Sequence, residues 1–283
     1  MPATWPLDPA VVIGVASAGV VYVRAHARVR AYRPAAHPAA RRRSFLAGLF
    51  VIVVALQTPI DTWSQTSFAV HMVQHLLLTM VAAPLLVLGA PIRLALGAWP
   101  GPPRRRLVRF LQSRVVRVLS HPVLGWAAFF AVMWGTHVSG IYDATLRSTA
   151  IHTGEHLAYL VTALMFWSPV AGVDPSPSRL SHPGRILYLF LAMPAMAFLG
   201  LAIYSARGVL YPSYAVVEGV RRAIADQHAA GAVMWTGTMF LIVPALAFVL
   251  MDWMRSDERD AAREDARLAE SRPRSRIVEE TRP

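Results

Sequence analysis

The chain has no cysteine and no lysine, and only 16% of its 283 residues are charged. Without cysteine there are no disulfide frameworks, thiolate metal sites, cysteine nucleophiles or iron–sulfur clusters. Any metal this chain holds must use histidine, methionine, carboxylate or carbonyl groups. All 28 basic residues are arginine, so the positive charge does not change with pH. A soluble globular protein carries roughly 25% charged and about 45–50% apolar residues. Here 55% are hydrophobic, and the mean hydropathy is +0.43. That composition excludes disorder for most of the chain. A formal net charge of +12 would ordinarily raise nucleic-acid binding. The arginines, however, are not spread over a polar surface, and no nucleic acid is expected as a partner. Gly-rich phosphate loops, a serine nucleophile elbow and dinucleotide fingerprints are also missing.

What the chain does have is long apolar runs. A helix crosses the ~30 Å hydrocarbon core with about 20 apolar residues. Seven segments qualify, at about 9–23, 44–60, 67–88, 122–140, 148–170, 185–205 and 228–251. Alternating strand patterns are missing, so the spans are helices. The expected fold class is an all-α integral membrane protein, a seven-transmembrane-helix bundle within residues 1–253. The start of the chain lacks the basic region of a cleavable signal, so the first apolar run is expected to remain as a span. Twenty-four arginines lie on one side of the bundle and four on the other. The positive-inside rule then places the N-terminus outside and the C-terminus in the cytoplasm of a bacterial plasma membrane. Residues 254–283 form a charged cytoplasmic tail. Its first half is able to extend the last helix, and its proline-containing end is expected to be disordered. Pro84, Pro194 and Pro244 fall inside helical runs and predict kinks.

This orientation sorts the ten histidines. His26, His37, His121 and His182 fall on the arginine-rich side. Three of them precede proline, and His121 and His182 read as helix-entry punctuation. His71, His75, His137, His152, His156 and His228 all fall at the opposite ends of four helices. His71 and His75, like His152 and His156, are four residues apart and share a helix face. The two segments read HMVQH and HTGEH, with Gln74 and Glu155 on the same faces as candidate orienters of a ligand imidazole. Asp61 and Asp226 are candidate carboxylates near the entry. Met72 and Met133 are within reach as thioethers, which suit cuprous ion, although most helical methionine is core filler. One histidine at a membrane interface is commonly a headgroup partner, but ionisable residues within a span point to function. The pattern leaves copper, zinc and haem open. HTGEH also matches an inverted zinc-protease pattern, which would make Glu155 the general base of a membrane-embedded zinc hydrolase. Histidines on facing helices equally suit a haem- or quinol-binding electron-transfer protein.

The stretches HMVQHLLLTMVAAPLLVLGAP, HPVLGWAAFFAVMWGTHVSGIYD, HTGEHLAYLVTALMFWSPV and DQHAAGAVMW resemble the polytopic CtaG family. The resemblance runs from about Phe45 to Trp253. It implies a non-enzymatic assembly factor of haem–copper cytochrome c oxidase, with oxidase subunits and the lipid bilayer as partners. It also implies copper as the metal, in the cuprous state and with zinc as the alternative, and the six histidines above as the functional residues.

Overall fold

The computed structural model describes residue 5 and residues 7–271. Among these residues there is no strand. The helices run in order: α1 Pro9–Tyr32, α2 Ala39–Leu56, α3 Pro59–Ser64, α4 Phe68–Leu76, a π-helical segment Leu77–Ala82, α5 Ala83–Leu88, α6 Pro91–Ala98, α7 Pro102–Leu111 and α8 Arg114–Leu119. They continue as α9 Pro122–Val138, α10 Ile141–Thr145, α11 Thr149–Ala171, α12 His182–Ser205, α13 Pro212–Glu218 and α14 Val220–Ser271.

The punctuation is local chemistry. Asp8 caps α1 by accepting from the Ala10 N–H at 2.8 Å, and Pro9 fills the first turn. Proline lacks the N–H that a first turn leaves unused, so it opens helices at low cost. His121–Pro122 and His182–Pro183 stand at the entries of α9 and α12. Pro84 sits in the first turn of α5, directly after the π-helical segment. The wider turn takes up the hydrogen bond and space that a proline denies its preceding turn. A second break follows at Ala90, whose left-handed φ of 50° lets Pro91 start α6.

Among the described residues four helices are long and apolar enough to cross a membrane: Pro9–Tyr32, the kinked run Phe68–Ala98, His182–Ser205 and the apolar part of Val220–Leu268. α9 is apolar but shorter. α2 opens with Arg41–Arg43, and α11 carries His152, Glu155 and His156, which lowers the hydropathy of both. Apolar side chains face outward around the bundle, among them Phe50, Phe190, Phe198 and Phe240. Such a girdle has no place on a soluble monomer. This is a helical membrane protein.

Several boundaries differ from those read in the sequence. α1 continues to Tyr32, nine residues past the expected end at 23. The arginine-rich loop after the third span is three short helices, α6 to α8, and no residue of α7 or α8 is buried. α14 begins at Val220, two turns before the expected start, and continues for 52 residues to Ser271. Its charged part thus forms helix through the first half of the tail. The expected disorder of the tail's end falls on residues 272–283, outside the described ones.

The main core lies among α4, α9, α11, α12 and α14, where Phe68, Met72, Phe129, Tyr159, Phe166, Leu189 and Met196 are buried together. In lipid no hydrophobic force joins helices, so close packing of small residues does more of the work. Gly200 of α12 and Gly231 of α14 show this. A Cβ on Gly231 would lie 2.6 Å from the Gly200 carbonyl oxygen.

Candidate metal centre

α4 and α11 build the centre. Ser67 caps α4 by accepting from the Val70 N–H, and Asp226 of α14 accepts from Ser67 Oγ at 2.9 Å and from the Phe68 N–H. A carboxylate at a helix N-terminus satisfies free donors and meets the positive end of the helix dipole. The capped helix holds His71 and His75 one turn apart, opposite His152, Glu155 and His156 of α11. None of these five residues is more than 8% exposed. Ring centroids lie 4.4 Å apart for His71 and His75, 4.2 Å for His152 and His156, and 5.1 Å for His71 and His152. Glu155 Oε2 is 3.8 Å from Nε2 of both His71 and His75.

Burying polar atoms without partners is costly, and native interiors rarely do it. Yet here seven buried atoms have no hydrogen-bond partner: Nε2 of His71, both nitrogens of His75, Nε2 of His152 and His156, and both oxygens of Glu155. Donor atoms from His71, His152 and His156 lie within 4.8 Å of one another, and so do those of His71, His75 and Glu155. Either set suits one small cation, which would take one lone pair from each of its three residues. Neutral imidazole and carboxylate together accept copper or zinc.

Tyr214 and, behind it, Tyr142 hold the His71 imidazole. Tyr214 Oη donates to the Ser64 carbonyl at 2.9 Å and lies 3.1 Å from His71 Nδ1. Burial holds the Tyr214 phenol far above its ordinary pKa, so it stays a hydroxyl. With its proton committed to Ser64, its oxygen accepts from His71 Nδ1–H, which leaves the free lone pair on Nε2. Tyr142 adds a hydroxyl contact to Tyr214 at 3.2 Å. The Gln65 amide lies 3.3 Å from His152 Nδ1. His137 is the near neighbour, its ring 6.4 Å from that of His75. Its Nδ1 donates to the Met133 carbonyl at 2.7 Å, and its Nε2 faces the Met72 sulfur at 3.5 Å. Met133 therefore contributes its backbone, and Met72 its thioether.

Three expected roles change. Gln74 turns away from the imidazoles; its amide donates to Asp61 Oδ1 at 2.8 Å and to the Ala55 carbonyl at 2.9 Å. Asp61 is thereby tied to α4, and burial raises its pKa, partly offset by that hydrogen bond. Asp226 caps α4 instead of standing at an entry. His228 leaves the group: its Nε2 contacts the Ala206 carbonyl at 3.2 Å and its ring packs by Tyr204. The early start of α14 explains both. Two residues along a helix turn the face by about 200°, so with Asp226 on α4, His228 points elsewhere. Tyr214 and Gln65 had no sequence signal of their own, because neither lies in a histidine motif.

The fold and the site define a class: a helical membrane protein with an imidazole and carboxylate cluster buried among its helices. Residues 20–256 match the model of the cytochrome c oxidase caa3 assembly factor family. The chain belongs to that family. It is also 32% identical, over 265 residues, to an uncharacterised protein of Mycobacterium bovis, covering 89% of this chain and 40% of that protein. An uncharacterised protein of Mycobacterium leprae is 31% identical over 278 residues, covering 92% of this chain and 41% of its own length. The chain thus spans about two fifths of the curated relatives it matches. No solved structure matches it.

Proposed function

We propose that the chain binds copper at this centre and helps deliver it to a subunit of a haem–copper cytochrome c oxidase during assembly. The observation that carries the reading is the set of seven buried nitrogen and oxygen atoms without partners, on five residues from two helices. Copper is favoured over zinc by the Met72 thioether beside His137 Nε2, a soft donor next to an imidazole lone pair. The absence of thiolates keeps the binding moderate, as a handover needs. The protein acts by holding and passing an ion, without catalysis of its own. No feature of the fold favours the hydrolase or the haem and quinol readings over this one.

The same proposal includes the topology. α1, α2, the run from α4 to α5, α9, α11, α12 and α14 make seven spans in a bacterial plasma membrane. The centre then lies towards the extracytoplasmic face, and the arginine-rich helices α7 and α8 lie in the cytoplasm. Reporter fusions at the chain's two ends test this, with the C-terminal fusion active only in the cytoplasm. Cu(I) titration of the purified chain against a chromophoric chelator tests the centre. Uptake of one ion, lost when His71 and His75 become alanine, is the expected result. No uptake, or uptake that survives the double substitution, overturns it. Zinc in the isolated protein with no Cu(I) competition would reassign the metal.

A further inference from the structure

The two donor sets share His71, and a neutral imidazole has one free lone pair. That lone pair serves one ion at a time. The sets are therefore alternatives for a single ion, not two filled sites. They also differ in access and charge. His152 belongs to the first set and also lines a polar cavity of about 400 Å³, with Asp61, Gln65, Thr145, Arg147 and Thr149 around it. The second set lies deeper along α4: His75 is one turn, about 6 Å, further from the capped end than His71. It adds the Glu155 carboxylate, whereas the first set is three neutral rings.

We propose, building on the copper reading above, that the centre is a two-station relay pivoting on His71. The ion arrives through the polar cavity at His152 and is caught by His71, His152 and His156. His71 then keeps its hold while the other two ligands are exchanged for His75 and Glu155. A monovalent cation on three neutral imidazoles leaves an uncompensated charge in a low-dielectric interior. The carboxylate of the second station cancels it, so the deeper station is the resting position. Tyr214 keeps the pivot in register by fixing the lone pair of His71 on Nε2. The outer histidines govern how fast the ion enters and leaves; the inner pair governs how tightly it is held.

Cu(I) uptake by the full-length chain in detergent, followed by stopped-flow transfer from and to a chromophoric chelator, separates the two roles. The relay requires His152→Gln to slow uptake and release about tenfold or more while the equilibrium affinity stays nearly unchanged. It requires Glu155→Gln to weaken affinity about tenfold or more while the uptake rate is kept. His75→Gln is the second inner variant should Glu155→Gln fail to fold, and thermal unfolding of each metal-free variant identifies such a failure. Simultaneous binding of two ions overturns the relay and leaves the copper reading standing. So does a pair of outer and inner variants that change rate and affinity alike, the mark of one undivided site. A wild-type chain that takes up no Cu(I) overturns both.

Discussion

Two histidine groups sit at opposite ends of the bundle, and both contain unpartnered imidazole nitrogens. At one end His71, His75, His152 and His156 surround Glu155. At the other, His26 and His37 are buried with ring centroids 5.5 Å apart, and Nε2 of His26 and Nδ1 of His37 have no hydrogen-bond partner. Each group has its own tyrosine. Tyr22 donates to the Gly89 carbonyl at 2.7 Å and meets His37 Nε2 at 2.9 Å, much as Tyr214 donates to Ser64 and meets His71. The surroundings are opposite. Arg41 and Arg42 follow His37 closely in the chain and act on the pair with their charge, whereas the first group encloses a carboxylate. Free lone pairs alone do not make a cation site. The local field decides, and guanidinium groups repel what a carboxylate attracts.

The sharpest way to break this comparison is to delete each group in turn. His71→Ala should abolish Cu(I) uptake, and His26→Ala with His37→Ala should leave it intact; copper loss in the second variant would show that the arginine-flanked pair also binds. A smaller contrast follows from the tyrosines. Tyr214→Phe leaves His71 Nδ1 without its acceptor and should weaken Cu(I) binding about tenfold. Tyr22→Phe removes hydrogen bonds at the other end and should lower stability by about 1 kcal/mol with metal binding unchanged. Chelator competition and thermal unfolding on the same samples read both effects. Asp226→Ala tests whether that carboxylate is a cap or a ligand. A cap predicts a loss of about 1 kcal/mol in unfolding with nearly normal copper affinity, and a ligand predicts the reverse.

The smallest effect is one of pH. Burial, with the charge of Arg41, lowers the His37 pKa from its ordinary 6.5 to about 4. The folded state therefore keeps the ring neutral where the unfolded chain would protonate it. The stability this contributes is complete above about pH 6.5 and is lost as pH falls towards 4. Replacing His37 with glutamine should flatten the acid limb of melting temperature against pH over that window. An unchanged limb would assign the acid sensitivity to other groups.

Much of this was legible in the sequence. Apolar run length marked the helices, and the four-residue spacing placed His71 with His75 and His152 with His156. Helix geometry alone enforces those pairings. What escaped has a common cause. The start of α14 at Val220 and the short helices α7 and α8 lie in arginine-bearing stretches, where hydropathy carries no signal of a span. Missing those two turns of α14 is what misplaced His228 and Asp226. The fates of Gln74 and of Tyr214 depend on which helix arrives opposite, and that is a property of packing between distant segments. The family resemblance anticipated the assembly-factor class, but not Tyr214, which sets the His71 imidazole.

α14 is 52 residues long, about 78 Å at 1.5 Å per residue, more than twice the ~30 Å hydrocarbon core. Asp226, near one end, is fastened to the start of the helix that bears His71 and His75. The charged stretch of the same helix from Asp257 to Leu268 is exposed throughout. The molecule thus carries a shaft whose charged handle is exposed and whose foot is clamped beside the histidine cluster. A pull on the handle would bear on the spacing of two imidazoles at the opposite end of the shaft.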